Sequence, residues 1–509
     1  MKLTRPSIVA CAILAISALQ ANAQTFEHVR GGTDGDFGTF LAPTSAGGYI
    51  VVGRDRSFIW DSPYISMVDG ADFLLWQGVY STDTADLNVS DVVESPEGGV
   101  VCSMANEASP GFERALMKLK PDGTIDWKRT YPGTANFADI KLSTVPGGGY
   151  IMTGVYFAAS GARQPILTYV SENGALIWQR AYTHTPLLAN LNAKFEDVCA
   201  VTLNGGTELG FLVCGSIATI GAQNDQGRAL VALLDGAGDP IWSYSFGYTN
   251  NLLLEATQID QATNGDILIG GNDLGVGANG NSYLMRLTPA GALIWETGYE
   301  FFGTGGSMTE LTSGDVVMCG RTLDPKIPGG QAEMVLLNTN ASGAPQWARA
   351  YGGTGFTFGL DVAPVGAGFV CNGTRIFPNT SGTAEMYLVR TDADGRTGCE
   401  RTEPINPVTR NPNRQEEVIR AIDLEQATTL DIEMFFTEWP IESVCDTPPC
   451  PTCACAFAAP TTSCDFSDVV AFLTFFGAQD PCADLAPPSS SWDFSDVVAF
   501  LTSFGAGCN

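Results

Sequence analysis

Histidine is all but missing from these 509 residues: His28 and His184 are the only two. Imidazole is the usual proton carrier near neutral pH and a usual zinc ligand, so chemistry built on several histidines is excluded. Basic residues are scarce as well, 26 Lys and Arg against 55 Asp and Glu. A chain this acidic repels phosphate backbones and anionic lipid, and no Lys/Arg cluster offsets it, so no nucleic-acid partner is expected. There is no Gly-x-Ser-x-Gly elbow, no His-Glu-x-x-His and no phosphate-cradling loop followed by lysine, and therefore no catalytic residue to name. After residue 23 no apolar run approaches the ~20 residues that cross a bilayer, so no membrane span is expected.

The apolar run that does occur lies at the start. Lys2 and Arg5 precede Ile8 to Leu19, and Ala21-Asn22-Ala23 puts small residues before Gln24. That is the layout of a secretory signal, so residues 1–23 are expected to be removed and the rest secreted or held at the cell surface or envelope. Export places cysteines where disulfides persist. Of the 14 cysteines Cys11 falls in the leader, and the odd number left means at least one is unpaired. Cys102, Cys214, Cys319 and Cys371 recur at nearly one point of a repeat, each ending an apolar run, and read as small buried apolar residues.

The repeat organises residues 24–399. Tryptophans stand at 76, 127, 178, 242, 295 and 347, spaced by 51, 51, 64, 53 and 52 residues. Five are preceded four residues earlier by glycine: Gly123, Gly174, Gly238, Gly291 and Gly343. All six are followed four residues later by an aromatic: Tyr80, Tyr131, Tyr182, Phe246, Tyr299 and Tyr351. Residues four apart in a strand share a face, so each pair packs against the same neighbour. Three further β-rich runs fill each period, separated by Gly, Asn and Pro clusters, as in Tyr150 to Gly154 and Ile166 to Val170. A period near 50 residues with four strands predicts a propeller blade. A seventh period runs from Phe356 to Cys399, and Phe26 to Gly32 aligns with Trp347 to Gly353. The fold expected is all-β, a seven-bladed β-propeller, with residues 25–30 pairing against 384–391 to close the ring and remove two exposed edges.

These blades resemble the Trp-bearing blades of secreted bacterial propeller proteins, and Asp/Asn-Gly-x-x-x-Trp is similar to blades of quinone-dependent dehydrogenases. The dehydrogenase likeness implies a vicinal cysteine pair, which this sequence lacks.

Beyond the ring, residues 400–447 form a β annex with strands expected over Glu416 to Arg420 and Thr429 to Phe436 against the outside of the ring. Cys399 and Cys445 bracket it, and a bond between them is one pairing among several. Residues 448–456 are a Pro/Cys linker. In 457–509 the stretch from Asp465 to Ala478 recurs 28 residues later as Asp493 to Ala506, with Phe475 replaced by Ser503. Phe466, Val469, Val470, Leu473 and Phe476 have the spacing of one helical face, and Gly477 ends the run, so two matching short helices are expected to pack together. This tail resembles the dockerin-like modules with a terminal Gly-Cys that end many exported bacterial proteins. The resemblance implies a small α-helical module, a cohesin-like or envelope partner, and calcium at Asp465, Asp468, Asp484, Asp493 and Asp496. The loops depart from that family: residues 457–462 carry no carboxylate, and Asp484 is followed by Leu-Ala-Pro-Pro-Ser-Ser-Ser. Calcium takes about six to eight oxygens. Read from the residues alone, Asp465, Asp468, Asp493 and Asp496 cap the helices rather than bind calcium tightly.

The function expected is binding or scaffolding, with a protein or glycan ligand on the propeller face and no cofactor other than calcium. The alternative is an extracellular propeller enzyme, either a glycan hydrolase or a quinone-dependent oxidoreductase. Extra residues in the fourth period, Thr183 to Ala193 and Gly221 to Gly227, mark the first place to look for a ligand, since insertions on a repeat scaffold often form recognition surfaces.

Overall fold

A computed structural model of the chain describes residues 25–400 except 31–34, 57–60, 83–85, 107–112, 135–139, 158–162, 185–190, 220–226, 249–253, 274–280, 301, 304–306, 323–331, 353–355 and 377–383, together with the strands between 401 and 446 and helical stretches within 469–476 and 497–502. Seven four-stranded antiparallel blades follow one another at 37–81, 87–134, 142–184, 191–247, 254–300, 302–351 and 356–390. The seventh draws its fourth strand from the other end of the chain: Phe26–Arg30 pairs with Ala384–Arg390, Phe26 opposite Arg390 and Arg30 opposite Met386. Ring closure by the N-terminal segment is thus as the sequence predicts. Blades 2 and 3 share one hydrogen-bonded sheet because Ile125–Thr134 overruns its hairpin and Thr134 pairs with Val155.

Alternation along each strand sends side chains to both faces of a blade, so the core is divided. Seven clusters of buried apolar residues lie one at each blade-to-blade interface. Cys102, Cys214, Cys319 and Cys371 are wholly buried within three of them, which matches their reading as packing residues.

The tryptophan repeat has a physical explanation. The hairpin before the outer strand puts its glycine in the left-handed region, +81° at Gly123 and +78° at Gly343, and the previous blade's tryptophan packs against it at Gly123, Gly174, Gly238, Gly343 and Gly395, with Tyr244 the nearest ring at Gly291. A methyl group added at Gly343 would stand 2.6 Å from the Trp295 ring. The tyrosine four residues after the tryptophan completes the lock. Tyr80, Tyr131, Tyr182, Tyr299 and Tyr351 donate their hydroxyls to the carbonyls of Gly123, Gly174, Gly238, Gly343 and Gly395, at 2.6 to 2.9 Å.

Two interfaces depart from this pattern. Phe246 has no hydroxyl, and the Gly291 carbonyl instead accepts from the Arg414 guanidinium at 2.9 Å, which also lies 4.2 Å over the Tyr244 ring. At the closing seam between blades 7 and 1, Asp72 occupies the glycine position with φ of 66°, a conformation Asp tolerates better than most residues. Its carboxylate accepts from the Tyr49 hydroxyl at 3.0 Å and lies 3.5 Å from Nε of the wholly buried Arg390. An ion pair here takes the place of the ring-on-glycine contact.

Arg414 belongs to a second circuit. After blade 7 the chain turns back and runs around the outside of the ring in reverse order. Arg401–Thr402 adds to blade 6, Asn406–Thr409 to blade 5, Asn413–Glu416 to blade 4, Ile419–Asp423 to blade 3, Glu433–Phe435 to blade 1 and Ile441–Asp446 to blade 7. The annex is therefore a belt of six described edge strands rather than two packed runs. Its strands begin five to eight residues apart, save for a doubled step where blade 2 is passed. Only short strands fit this spacing, which is why the β pattern was faint in the sequence.

In the tail, the two described helical stretches meet through Phe472 and Phe500, stacked with ring centroids 4.1 Å apart and both buried. Pairing of the two repeats is as expected, but the buried face differs. Val470, Leu473, Val498 and Leu501 are about half exposed, so the expected stripe through Val470 and Leu473 is corrected in favour of the phenylalanines, whose larger apolar area decides the contact.

Two measurements check these contacts. Arg414→Ala is expected to cost about 1–2 kcal/mol in denaturant unfolding. Phe246→Tyr, which restores the missing hydroxyl, should recover most of that loss; equal losses in both backgrounds would show that Arg414 does not serve the Gly291 carbonyl. Asp72→Asn keeps the backbone geometry but leaves the Arg390 charge buried and unpaired, for an expected loss of about 3 kcal/mol by the same assay.

Candidate functional site

The seven inner strands face the axis, and as edge strands they present N–H groups with no partner in their own sheet. Five of them carry a β-bulge in which one residue is left out of register: Thr39, Ser90, Glu196, Thr257 and Leu360. The next residues, Phe40, Asp91, Asp197, Gln258 and Asp361, share one level of the channel. Lys141 and Ser307 stand at the same level in blades 3 and 6, just ahead of the paired Leu142 and Met308.

These residues join neighbouring blades. Asp91 accepts from the backbone N–H of Leu142 at 2.9 Å, Asp197 from Ile259 at 2.9 Å and Asp361 from Leu41 at 2.8 Å. The Ser307 hydroxyl accepts from the N–H of Val362 at 2.6 Å. Each acceptor lies one blade behind its donor, so the channel wall is stitched in one rotational sense. Where the preceding blade offers Lys141, which cannot accept, Val198 donates instead to its own neighbour Asp197 at 2.8 Å.

Lys141 occupies the centre of this charge cluster. Its ammonium lies 3.7 Å from Asp91 and 4.6 Å over the Phe40 ring. Burial works to lower its pKa, but the charges of Asp91, Asp361, Asp197 and Glu196 outweigh that and hold it above the ordinary lysine value. Burial has the opposite effect on the carboxyls. It raises Asp197 to about 7 and Asp361 to about 6, against the pull of Lys141, and raises Asp91 as well. From this ring a cavity of about 420 Å³ extends to Pro43, Glu94 and Thr144, where the tight turns begin. It holds two carboxyls that titrate close to neutrality beside a fixed cation, an arrangement able to bind a polar group or exchange a proton.

Asp465, Asp468, Asp484, Asp493 and Asp496 lie outside the described residues, as do 185–190 and 221–226 of the fourth-period insertions. The flanks of those insertions extend strands instead: Leu191–Leu203 and Glu208–Thr219 are the longest in the ring. Among the described residues no group of three or more His, Cys, Asp or Glu is placed to hold a metal, and no helix is long and apolar enough to cross a membrane. The channel residues did leave a trace in the sequence. Phe40, Asp91, Gln258 and Ser307 each precede by seven residues a turn glycine, Gly47, Gly98, Gly265 and Gly314. The residue types vary too much for that offset to announce itself.

No protein-family model matches the chain, nor does any curated protein. Solved structures with a similar course of strands include a protein of unknown function from Dyadobacter fermentans, 9% identical over 72% of this chain and 98% of that one, with a TM-score of 0.42. The polysaccharide lyase Uly1 is 8% identical over 73% of this chain and 100% of that one, TM-score 0.43. A variant of the Synechocystis apocarotenoid oxygenase is 12% identical over 81% and 96%, TM-score 0.36. At such identities and scores none of them bears on activity.

The raised carboxyls set a pH dependence. A carboxyl whose folded pKa lies above its unfolded value stabilises the fold fully below the unfolded pKa, near 4, and loses that contribution as pH rises through the folded value. For Asp361 and Asp197 the window runs from about 4 to about 6 and 7 respectively. Urea unfolding between pH 5 and 8 should show stability falling as pH rises, and Asp197→Asn should remove a large part of that slope. An identical slope in the variant would refute the assignment.

Proposed function

We propose that this chain is an exported binding or scaffold protein: the propeller takes a protein or glycan ligand, and the C-terminal repeats hold it at the cell envelope through a cohesin-like or other envelope partner. One observation carries this reading. The charged cluster in the channel is committed to joining blades, since Asp91, Asp197 and Asp361, like Ser307 beside them, each receive a neighbour's N–H. That leaves recognition to the segments that vary between repeats. The strand ends that bracket 185–190 and 220–226 lie on the same face, opposite the tight turns, because strand direction alternates within a blade. The acidic composition and the leader-like start support an extracytoplasmic setting. Calcium in the tail belongs to the same reading, with Asp465, Asp468, Asp484, Asp493 and Asp496 as its ligands.

A second reading, an extracellular glycan hydrolase, is favoured by the near-neutral Asp197 and Asp361 in an open cavity, since such enzymes work with a carboxyl pair in two protonation states.

The deciding experiment applies the mature chain, with and without residues 456–509, to an array of glycans and envelope components. Ligand binding is expected to survive loss of the tail, while retention in an envelope fraction is expected to be lost. Turnover of any arrayed glycan that Asp197→Asn abolishes would replace the binding reading with the hydrolytic one.

A further inference from the structure

The belt begins and ends at the same blade. The chain leaves blade 7 at Cys399, passes the outer strands of blades 6, 5, 4, 3 and 1, and returns to blade 7 with Ile441–Asp446, which carries Cys445. Across that last pairing Cys445 stands opposite Glu27 of the N-terminal strand. From the other side, the Thr397 hydroxyl donates to the Glu27 carboxylate at 2.7 Å, and the backbone N–H of Cys399 donates to the Thr397 hydroxyl at 3.2 Å. Glu27 therefore adjoins the strand that bears Cys445 and, through Thr397, the backbone that bears Cys399. Cys102, Cys199, Cys214, Cys319 and Cys371 are free thiols, whereas Cys399 is disulfide-bonded. Cys445 is the one cysteine that the belt contains.

We infer that Cys399 is bonded to Cys445, and that this bond closes residues 399–445 into a covalent hoop around the outside of the propeller, with the N-terminal strand inside it. The two thiols give up two protons and two electrons. The electrons pass to the disulfide of an oxidised carrier, a protein or glutathione disulfide, by thiol–disulfide exchange through a mixed disulfide. The persistence of the bond in the cell rests on the exported reading above, because reducing compartments would open it. Its mechanical effect follows from the belt's construction. The six edge pairings hold only two to six residues each, and a ribbon of such short contacts peels readily from a free end. Joining the two ends removes that free end.

The test uses the full chain refolded in a glutathione redox buffer, so that it does not depend on export. Digestion at acidic residues without reduction separates Cys399, in 395–400, from Cys445, in 443–446. Mass mapping is expected to find these two peptides linked. Cys399 linked to Cys450, Cys453 or Cys455, or carrying a free thiol, overturns the inference. Hydrogen exchange gives a second readout. Cys399→Ser and Cys445→Ser should each lower the thermal midpoint by about 5 °C and speed amide exchange in Phe26–Arg30, with the double variant no worse than either. Unchanged exchange in that strand overturns the hoop's role. Failure of the envelope-retention experiment would leave the mapping result standing.

Discussion

A tryptophan ring lying on a glycine backbone sets the distance from one blade to the next, and the rest of the molecule accommodates that distance. The glycine must be in the left-handed region to let the ring approach, and the neighbouring tyrosine must reach its carbonyl. One residue type supplies area, one supplies absence of bulk and one supplies a directional bond. Packing alone is non-directional. The hydroxyl-to-carbonyl bond fixes the angle at which successive sheets meet, so that seven of them come round to a closed ring.

Closure is where the pattern changes. The last blade has Phe26 in the tryptophan position and meets Asp72 where the others meet glycine, with Arg390 and Tyr49 completing the contact. A buried ion pair contributes little net stability but penalises every mispairing that leaves one charge alone. Placed at the seam, it discriminates the correct joining of the two chain ends from near misses that apolar contact would accept. The channel stitching does similar work at smaller radius, and Arg414 does it at the outer edge of blade 4.

The architecture was legible because its signal is local and repeated. Trp76 through Trp347 fixed the period, and the likeness of Phe26–Arg30 to the stretch after Trp347 revealed the partner of the final blade. The missing glycine before Trp76 also pointed to an exception, though its meaning needed Arg390, over three hundred residues away. The belt was harder to read, since strands of two to six residues on a moving register have no period. The channel carboxylates were unreadable in advance for another reason. Asp91, Lys141, Ser307 and Phe40 fill equivalent places with unlike chemistry, because each answers to a blade other than its own. In the tail, the spacing put Val470 and Leu473 on the buried face, whereas stacking between Phe472 and Phe500 carries the contact and leaves those two exposed.

The belt runs against the direction of the ring, and this orders assembly in time. The stretch that covers blade 6 is made some fifty residues after the strand it pairs with, whereas the stretch that covers the N-terminal strand arrives more than four hundred residues later. Phe26–Arg30 must therefore wait for nearly the whole chain before both its neighbours exist. Partly made chains carry an unpaired leading segment until Ala384–Arg390 is made, and the last residues of the circuit are the ones that finally shelter the first.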